Sequence, residues 1–350
     1  MVFNKTEHGG DIYDKKIRYD FSVNINPLGT PETVRQAVID SAKDICSYPD
    51  PCCRELINSL AEYEGVPKSY IMCGNGAAEL IYSFCAAVRP NTALELAPTF
   101  SEYSNAAESV GCKVERYKLK KEENFLLTDD FLTLLRSKHY DVVFLCNPNN
   151  PTGCLIEPAL LEKICRICAQ NNIRLFLDEC FLELSDDGGI NSMKKNLLKY
   201  PNLFILKAFT KNFGMAGLRL GYCLCSDRSL LGSMSKTTQV WNVSIPAQKA
   251  GIAALNEKDF LSEAKSIIFQ ERDILTKELK RLGFWVCPSK ANYILLYSQE
   301  QIDDALLDKG ILIRDCSNYY GLGMGWYRIA VRKHDENKFL MRALCEVIGV

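Results

Sequence analysis

Lys211 and Arg219 stand eight positions apart in FTKNFGMAGLRLGY, Phe209 to Tyr222, a run mostly apolar or small with glycines at 214, 217 and 221. A lysine placed there, after a short apolar run, is a candidate desolvated amine. Burial disfavours the ammonium, lowers its pKa and leaves a nucleophile able to condense with a carbonyl cofactor. Arg219 adds a guanidinium suited to a bidentate grip on a phosphate. Three further segments put polar groups where apolar runs stop. In CGNGAAELIYSF, Gly74 and Gly76 turn the chain into a helix expected from Ala77, whose free N–H groups and small side chains suit a phosphate. In CNPNNPTG, Cys146 to Gly153, a turn presents the Asn150 amide. In IRLFLDECFLEL, Asp178 and Glu179 close a strand pattern, and a carboxylate there could hold a cationic ring nitrogen. Singly, each has an ordinary explanation: a surface lysine, a glycine turn before a helix, an Asn-Pro turn, a helix N-cap.

The elements that must position these groups follow from hydrophobic patterning. YIMCG, TALELAP, VVFLCNP, IRLFLDE, LFILKAF and GLRLGYCLC read as buried strands, being short, apolar and bounded by Gly, Pro or Asn. ELIYSFCAAV, SEYSNAAESVG and LLEKICRICAQ, between them, show helical spacing. The alternation predicts an α/β fold with a mainly parallel sheet covered on both faces, and ligands then sit beyond the carboxyl ends of the strands. Near residue 255 the pattern changes. DFLSEAKSIIFQERDILTKELKRLG reads as a long amphipathic helix, FWVCPS, ANYILLYS, ILIRDC and WYRIAVR as strands, and Glu336 to Val347 as a last helix. The expected division is a large domain over residues 31–254 and a small α+β domain formed by 1–30 with 255–350.

Composition excludes several function classes. The 42 Lys+Arg against 43 Asp+Glu leave a net charge of -1, which speaks against a nucleic-acid or membrane-surface binder held by bulk electrostatics. No apolar run approaches the roughly 20 residues that span a bilayer, and the start lacks a signal peptide's apolar core, so a cytoplasmic protein is expected. There are 16 cysteines but only 3 histidines. Cys165-x-x-Cys168 falls in a helical pattern with no second pair at zinc-finger spacing, so no metal site is expected and the cysteines read as small buried thiols in a reducing compartment.

Taken together, the glycine turn, Asn150, Asp178, Lys211 and Arg219 occur in the order and approximate spacing of a known family, and NPTG with TKxFxxAGLRLGY is a specific pair. Over nearly all of its length the chain resembles the fold-type I pyridoxal-phosphate enzymes of the class I/II aminotransferase superfamily, in the branch holding threonine-phosphate decarboxylases and histidinol-phosphate aminotransferases. The resemblance implies a mostly parallel seven-stranded sheet in the large domain and pyridoxal 5'-phosphate as cofactor. It implies that Lys211 binds the cofactor and then moves protons, that Asp178 keeps the pyridine nitrogen protonated, that Asn150 bonds the ring's 3-oxygen and that Phe100, in APTFSEY, stacks on the ring. Gly76, Ala77, Ala78, Thr210 and Arg219 would gather the cofactor phosphate. Tyr48, in SYPDP, would reach the phosphate of the neighbouring subunit, which implies a homodimer. Lys207 lacks the Phe-x-x-Ala-Gly-Leu-Arg that follows Lys211 and reads as a decoy. A cis peptide is expected at Asn150-Pro151. Trp241-Asn242 reads as a cofactor-proximal or dimer-contact segment, or as core.

Four local features resemble the decarboxylases more than the aminotransferases: His8-Gly9-Gly10, DFSVNINPLG from Asp20 to Gly29, ILIRDCSNYYGL followed by WYRIAVR, and Phe181 where many aminotransferases carry a tyrosine. By that resemblance Arg328 would bind the substrate carboxylate and Arg314 a substrate phosphate, with His8, Asn26 and Arg332 assisting. The expected activity is decarboxylation of L-threonine O-3-phosphate. The alternative is an aminotransferase acting on histidinol phosphate or an aromatic amino acid, and a third reading is a non-catalytic effector module that kept the fold.

Overall fold

The computed structural model describes residues 8–349; the part of the expected 1–30 segment before His8 lies outside the described residues. Among these, thirteen strands run in chain order: β1 Tyr19–Asp20, β2 Ile71–Asn75, β3 Thr92–Ala97, β4 Lys113–Lys118, β5 Val142–Cys146, β6 Arg174–Asp178, β7 Leu203–Ala208, β8 Leu220–Cys225, β9 Trp285–Val286, β10 Tyr293–Tyr297, β11 Ile311–Leu312, β12 Arg314–Asp315 and β13 Trp326–Ala330. Every residue of β5, β7 and β8 is buried, as strands covered on both faces must be.

The main sheet has seven strands in the order β2-β8-β7-β6-β5-β3-β4. Only β8 runs antiparallel to its neighbours β2 and β7; the other pairs are parallel. The carboxyl ends of β2, β3, β5, β6 and β7 therefore share one edge with the amino end of β8. This is the edge at which ligands bind in such sheets. Six of the seven strands coincide with apolar runs. The seventh, β4, has the sequence KVERYK and is nowhere fully buried, because an edge strand protects its open side with charge rather than with apolar residues.

A second sheet, β12-β13-β10-β9, is antiparallel, and β1 pairs in parallel with β11. The helix Phe260–Arg281 buries Ala264, Ile268, Leu275 and Leu279 at helical spacing, and Leu275 and Leu279 share a core with Phe21, Ile294, Ile311, Ile329 and Leu340. The helix expected from Ala77 starts one residue earlier, at Gly76, and the last helix runs from His334 to Ile348. All cysteines are free, and Cys165 and Cys168 are buried on the helix Pro158–Gln170. No helix among the described residues is long and apolar enough to cross a membrane.

Candidate active site

Where β7 ends, the chain enters a one-turn helix, Phe209–Asn212, that carries Lys211 to the ligand edge of the sheet. Lys211 lines a cavity of about 240 Å³, with its Nζ 5.9 Å from the centroid of the Phe181 ring. Burial brings its pKa down to about 8, with Arg328 and Arg219 adding to the effect and Cys180 and Asp20 opposing it. The candidate amine is thus poised near neutrality for the reason its sequence setting suggested.

Lys207, four residues earlier, is buried in an ion cluster with Glu183, with Glu64 at 3.3 Å and with Glu179 at 4.0 Å. Burial works against its charge, but the three carboxylates outweigh it and hold its pKa well above the usual lysine value. It does not line the cavity.

Asp178 closes β6 and is buried at the cavity wall. One carboxylate oxygen accepts from the backbone N–H of Cys180 at 2.8 Å and the other from the Tyr103 hydroxyl at 2.6 Å. Burial pushes its pKa up, while these bonds and Lys211 pull it down. Tyr103 is a functional neighbour that the sequence reading missed. Its one signal was its offset of three from Phe100 at the start of a helix, which brings two such residues together. The two rings meet edge to face at 5.6 Å, and Phe100 lines the cavity.

Beyond β5, the peptides Asn147-Pro148 and Asn150-Pro151 are both cis, as is Ala97-Pro98. Only the second was expected. The Asn150 Oδ1 accepts from Arg328 Nη1 and, at 3.4 Å, from the Tyr319 hydroxyl, which leaves its Nδ2 as the donor to offer a ligand oxygen.

Ala77, Ala78, Thr210 and Arg219 line the same cavity, Ala77 and Ala78 from the start of the helix Gly76–Val88. Gly76, at φ +78°, does not line the cavity itself; a Cβ there would fall 2.6 Å from Arg219 Nη2. A Cβ on Gly221 would fall 2.5 Å from the Ala77 nitrogen. Both glycines let the arginine and β8 close on the helix start, where free N–H groups and a guanidinium form an anion corner.

Arg314 on β12 and Arg328 on β13 are both buried and both line the cavity. Arg328 Nη2 donates to the Ser22 carbonyl at 2.7 Å, and its Nε is buried with no partner among the described residues. Arg314 Nη2 donates to Asn318 Oδ1 at 2.8 Å. His8 lines the same cavity, its Nε2 3.0 Å from Glu102 Oε1.

Two expected substrate residues lie elsewhere. Asn26 is buried, but its Nδ2 donates to the Asn212 carbonyl at 2.8 Å and its Oδ1 accepts from Leu28 N at 2.9 Å. The cavity is instead lined by Ser22, Val23 and Asn24 of the same segment. Arg332 donates to the Asp20 carbonyl at 3.1 Å and pairs with Glu336 at 2.8 Å. Since β13 stops at Ala330, strand alternation no longer carries residue 332 to the face of Arg328. Tyr48 is 76% exposed and lies outside its own chain's cavity, stacked on Trp241 at 4.2 Å. Trp241 is itself exposed and so is not core.

The family model described as "Aminotransferase class I and II" matches residues 16–348. The threonine-phosphate decarboxylase of Salmonella typhimurium is 36% identical over 99% of this chain and 98% of its own length. A histidinol-phosphate aminotransferase of Methanosphaera stadtmanae is 32% identical over 93% of this chain and 89% of its own. Among solved structures, the histidinol-phosphate aminotransferase from Clostridium acetobutylicum superposes with a TM-score of 0.88 at 29% identity, over 95% of this chain and 99% of that one.

Proposed function

The chain belongs to the aminotransferase class I and II family, whose enzymes work with pyridoxal 5'-phosphate, and from that premise we propose that it decarboxylates L-threonine O-3-phosphate to 1-aminopropan-2-ol O-phosphate, a step of cobalamin synthesis. The observation that carries this reading is the pair Arg314 and Arg328, directly opposed on β12 and β13 and both lining the Lys211 cavity. Two guanidiniums on one wall suit a small substrate with two anionic groups, a carboxylate and a phosphate. The likeness to the Salmonella decarboxylase supports the same choice.

The cavity fits the cofactor in its chemistry. An anion corner that a Cβ on Gly76 would crowd, a buried carboxylate, Asp178, and an amine of lowered pKa, Lys211, belong to one cavity. When bound, the cofactor supplies an electron sink for the charge left at Cα as carbon dioxide departs.

The residues divide the remaining work. Lys211 would hold the cofactor and deliver a proton to Cα, for which a pKa of about 8 suits it. Asp178 would hold the pyridine nitrogen, Asn150 would donate to the 3-oxygen, and Phe100 would cover the ring face. Ala77 and Ala78 would offer backbone N–H groups, and Thr210 and Arg219 side chains, to the cofactor phosphate, with Gly76 keeping that corner open. Arg328 takes the substrate carboxylate; Arg314 and His8 take its phosphate. With the cofactor bound, these cations would fix the substrate's orientation, and that orientation would decide which bond at Cα breaks. Phe181 supplies no hydroxyl to the 3-oxygen, so Asn150 serves it without a tyrosine.

The same reading divides the chain into a cofactor-binding unit, 31–254, and a closing unit, 1–30 with 255–350. It makes the enzyme a cytoplasmic homodimer in which the exposed Tyr48, stacked on Trp241, reaches the neighbouring cofactor phosphate; sedimentation of wild type and Tyr48→Phe, with cofactor affinity, tests this. The activity itself is tested by carbon dioxide release from cofactor-loaded protein given L-threonine O-3-phosphate without keto acid. Catalytic release is expected. No release, together with conversion of the cofactor to its amine form by histidinol phosphate, would make the enzyme an aminotransferase.

A further inference from the structure

Lys211 sits in a helix of a single turn. One turn fixes several dihedral angles for one hydrogen bond and cannot hold its own shape, so contacts outside it must decide where Nζ points. Asn212 supplies two of them. Its Nδ2 donates to Glu183 Oε2 at 2.9 Å, and its carbonyl accepts from Asn26 Nδ2 at 2.8 Å. The Asn26 N–H in turn donates to the Lys211 carbonyl at 3.0 Å.

Glu183 is itself anchored. Its other carboxylate oxygen pairs with the buried Lys207, which also faces Glu64 and Glu179, and Glu64 is further held by Lys194 at 2.7 Å. None of these five charged residues lines the cavity. Glu183 also shares a short stretch of chain with Asp178, the carboxylate of the cavity wall, and with Phe181, whose ring faces Lys211 Nζ. The stretch 178–183 thus touches the site at two points and the lysine's turn at a third.

We propose that Glu183 is a positioning residue for Lys211: anchored by Lys207, it fixes Asn212 and through it the turn that presents the Lys211 amine to the cavity. The proposal rests on Lys211 being the cofactor amine, but not on which substrate the enzyme takes. It gives a use to a buried ion cluster that the chemistry leaves idle.

The test needs no substrate. In apoprotein the pH midpoint of Lys211 modification by trinitrobenzenesulfonate is followed on the Lys211 peptide by mass spectrometry. The groups bearing on Lys211 are Arg328 on β13, Arg219 ahead of β8, Asp178 at the end of β6, Cys180 after it and Asp20 on β1, and the variants leave all of them in place. Asn212→Ala, which keeps the ion cluster, and Glu183→Gln are expected to raise the midpoint by about half a unit or more toward the free-lysine value, as water reaches a loosened amine. Combining Asn212→Asp with Glu183→Gln exchanges donor and acceptor and should bring the midpoint back toward wild type. Lys194→Met, which weakens the cluster away from Asn212, should lower the melting temperature and leave the midpoint unchanged.

An unchanged midpoint in Asn212→Ala would overturn the proposal, even if Glu183→Gln fails to fold. Absence of carbon dioxide release from L-threonine O-3-phosphate would instead sink the substrate reading and leave this measurement standing.

Discussion

Arg314 and Arg328 are register partners across the antiparallel pair β12 and β13, so their side chains leave the same face of the small sheet and reach the same cavity. Like charges directly opposite one another weaken a sheet, and here both are buried. On the proposed reading, a ligand that brings two negative groups to this wall would offset that cost.

Replacing either arginine should therefore weaken substrate binding far more than folding. Charge-assisted hydrogen bonds contribute about 1.5–3 kcal/mol, so Arg314→Gln and Arg328→Gln are each expected to lower kcat/KM for the phosphorylated amino acid by roughly 10- to 100-fold. Melting temperature should hold or rise in Arg314→Gln, because one of two facing charges is gone, and fall modestly in Arg328→Gln, which also gives up the bonds to Asn150 and the Ser22 carbonyl. Steady-state kinetics beside a thermal melt checks both, and loss of folding with unchanged kcat/KM would contradict the assignment.

The two lysines of β7 and its following turn should behave oppositely. Lys211→Ala abolishes the visible absorption band of cofactor-loaded protein and leaves the fold intact. Lys207→Ala strands the buried Glu64 and Glu179 and the part-buried Glu183 without their shared cation and should destabilise the protein by about 3–5 kcal/mol. Absorption spectra and denaturant titrations of the two variants separate the outcomes.

Lys211 also carries a pH signature. Its pKa in the folded chain, about 8, lies below the 10.5 of a free lysine, so between these values the unfolded chain binds more protons and stability rises with pH. The cost of burying this amine is absent above 10.5, grows as pH falls to about 8 and is complete below that. Lys211→Met should accordingly stabilise the apoprotein at neutral pH and lose that advantage as pH passes 10.5, as read from denaturation midpoints across the range.

At the anion corner, Gly76→Ala places a side chain at φ +78° and 2.6 Å from Arg219 Nη2. Arg219 must move, and cofactor affinity should fall by at least about 10-fold, the scale of one lost charge-assisted bond. Equilibrium titration of the apoprotein with pyridoxal 5'-phosphate measures it.

Tyr103→Phe removes the hydroxyl that donates to Asp178 at 2.6 Å while keeping the ring stacked on Phe144. Without that donor the buried carboxylate is held less firmly in its charged form, so its pKa moves further up. Cofactor affinity is expected to drop by roughly 5-fold, for about 1 kcal/mol of lost bonding, with little change in melting temperature.

Much of this site was legible in residue order. Short apolar runs located six of the seven main-sheet strands, because buried parallel strands must be apolar on both faces. Lys211, Asp178, Asn150 and Arg219 were marked by their places in strand-end segments and Phe100 by the family resemblance, and all line one cavity. What one-dimensional pattern could not supply was anything set by register or by contacts distant in sequence. The edge strand β4 hid behind its charges. In DFSVNINPLG it is Asn24 that lines the cavity, while Asn26 bonds to Asn212 instead. Arg332 reads like Arg328 until the strand is seen to stop at Ala330. The opposition of Arg314 and Arg328, the hold of Tyr103 on Asp178 and the ion cluster behind Lys207 join residues 14, 75 and up to 143 positions apart. By itself the sequence determined which groups could do the chemistry, since side-chain type and strand-end position are local properties. Only the folded chain decided which of them meet, because strand pairing and packing bring together residues that share no local signal.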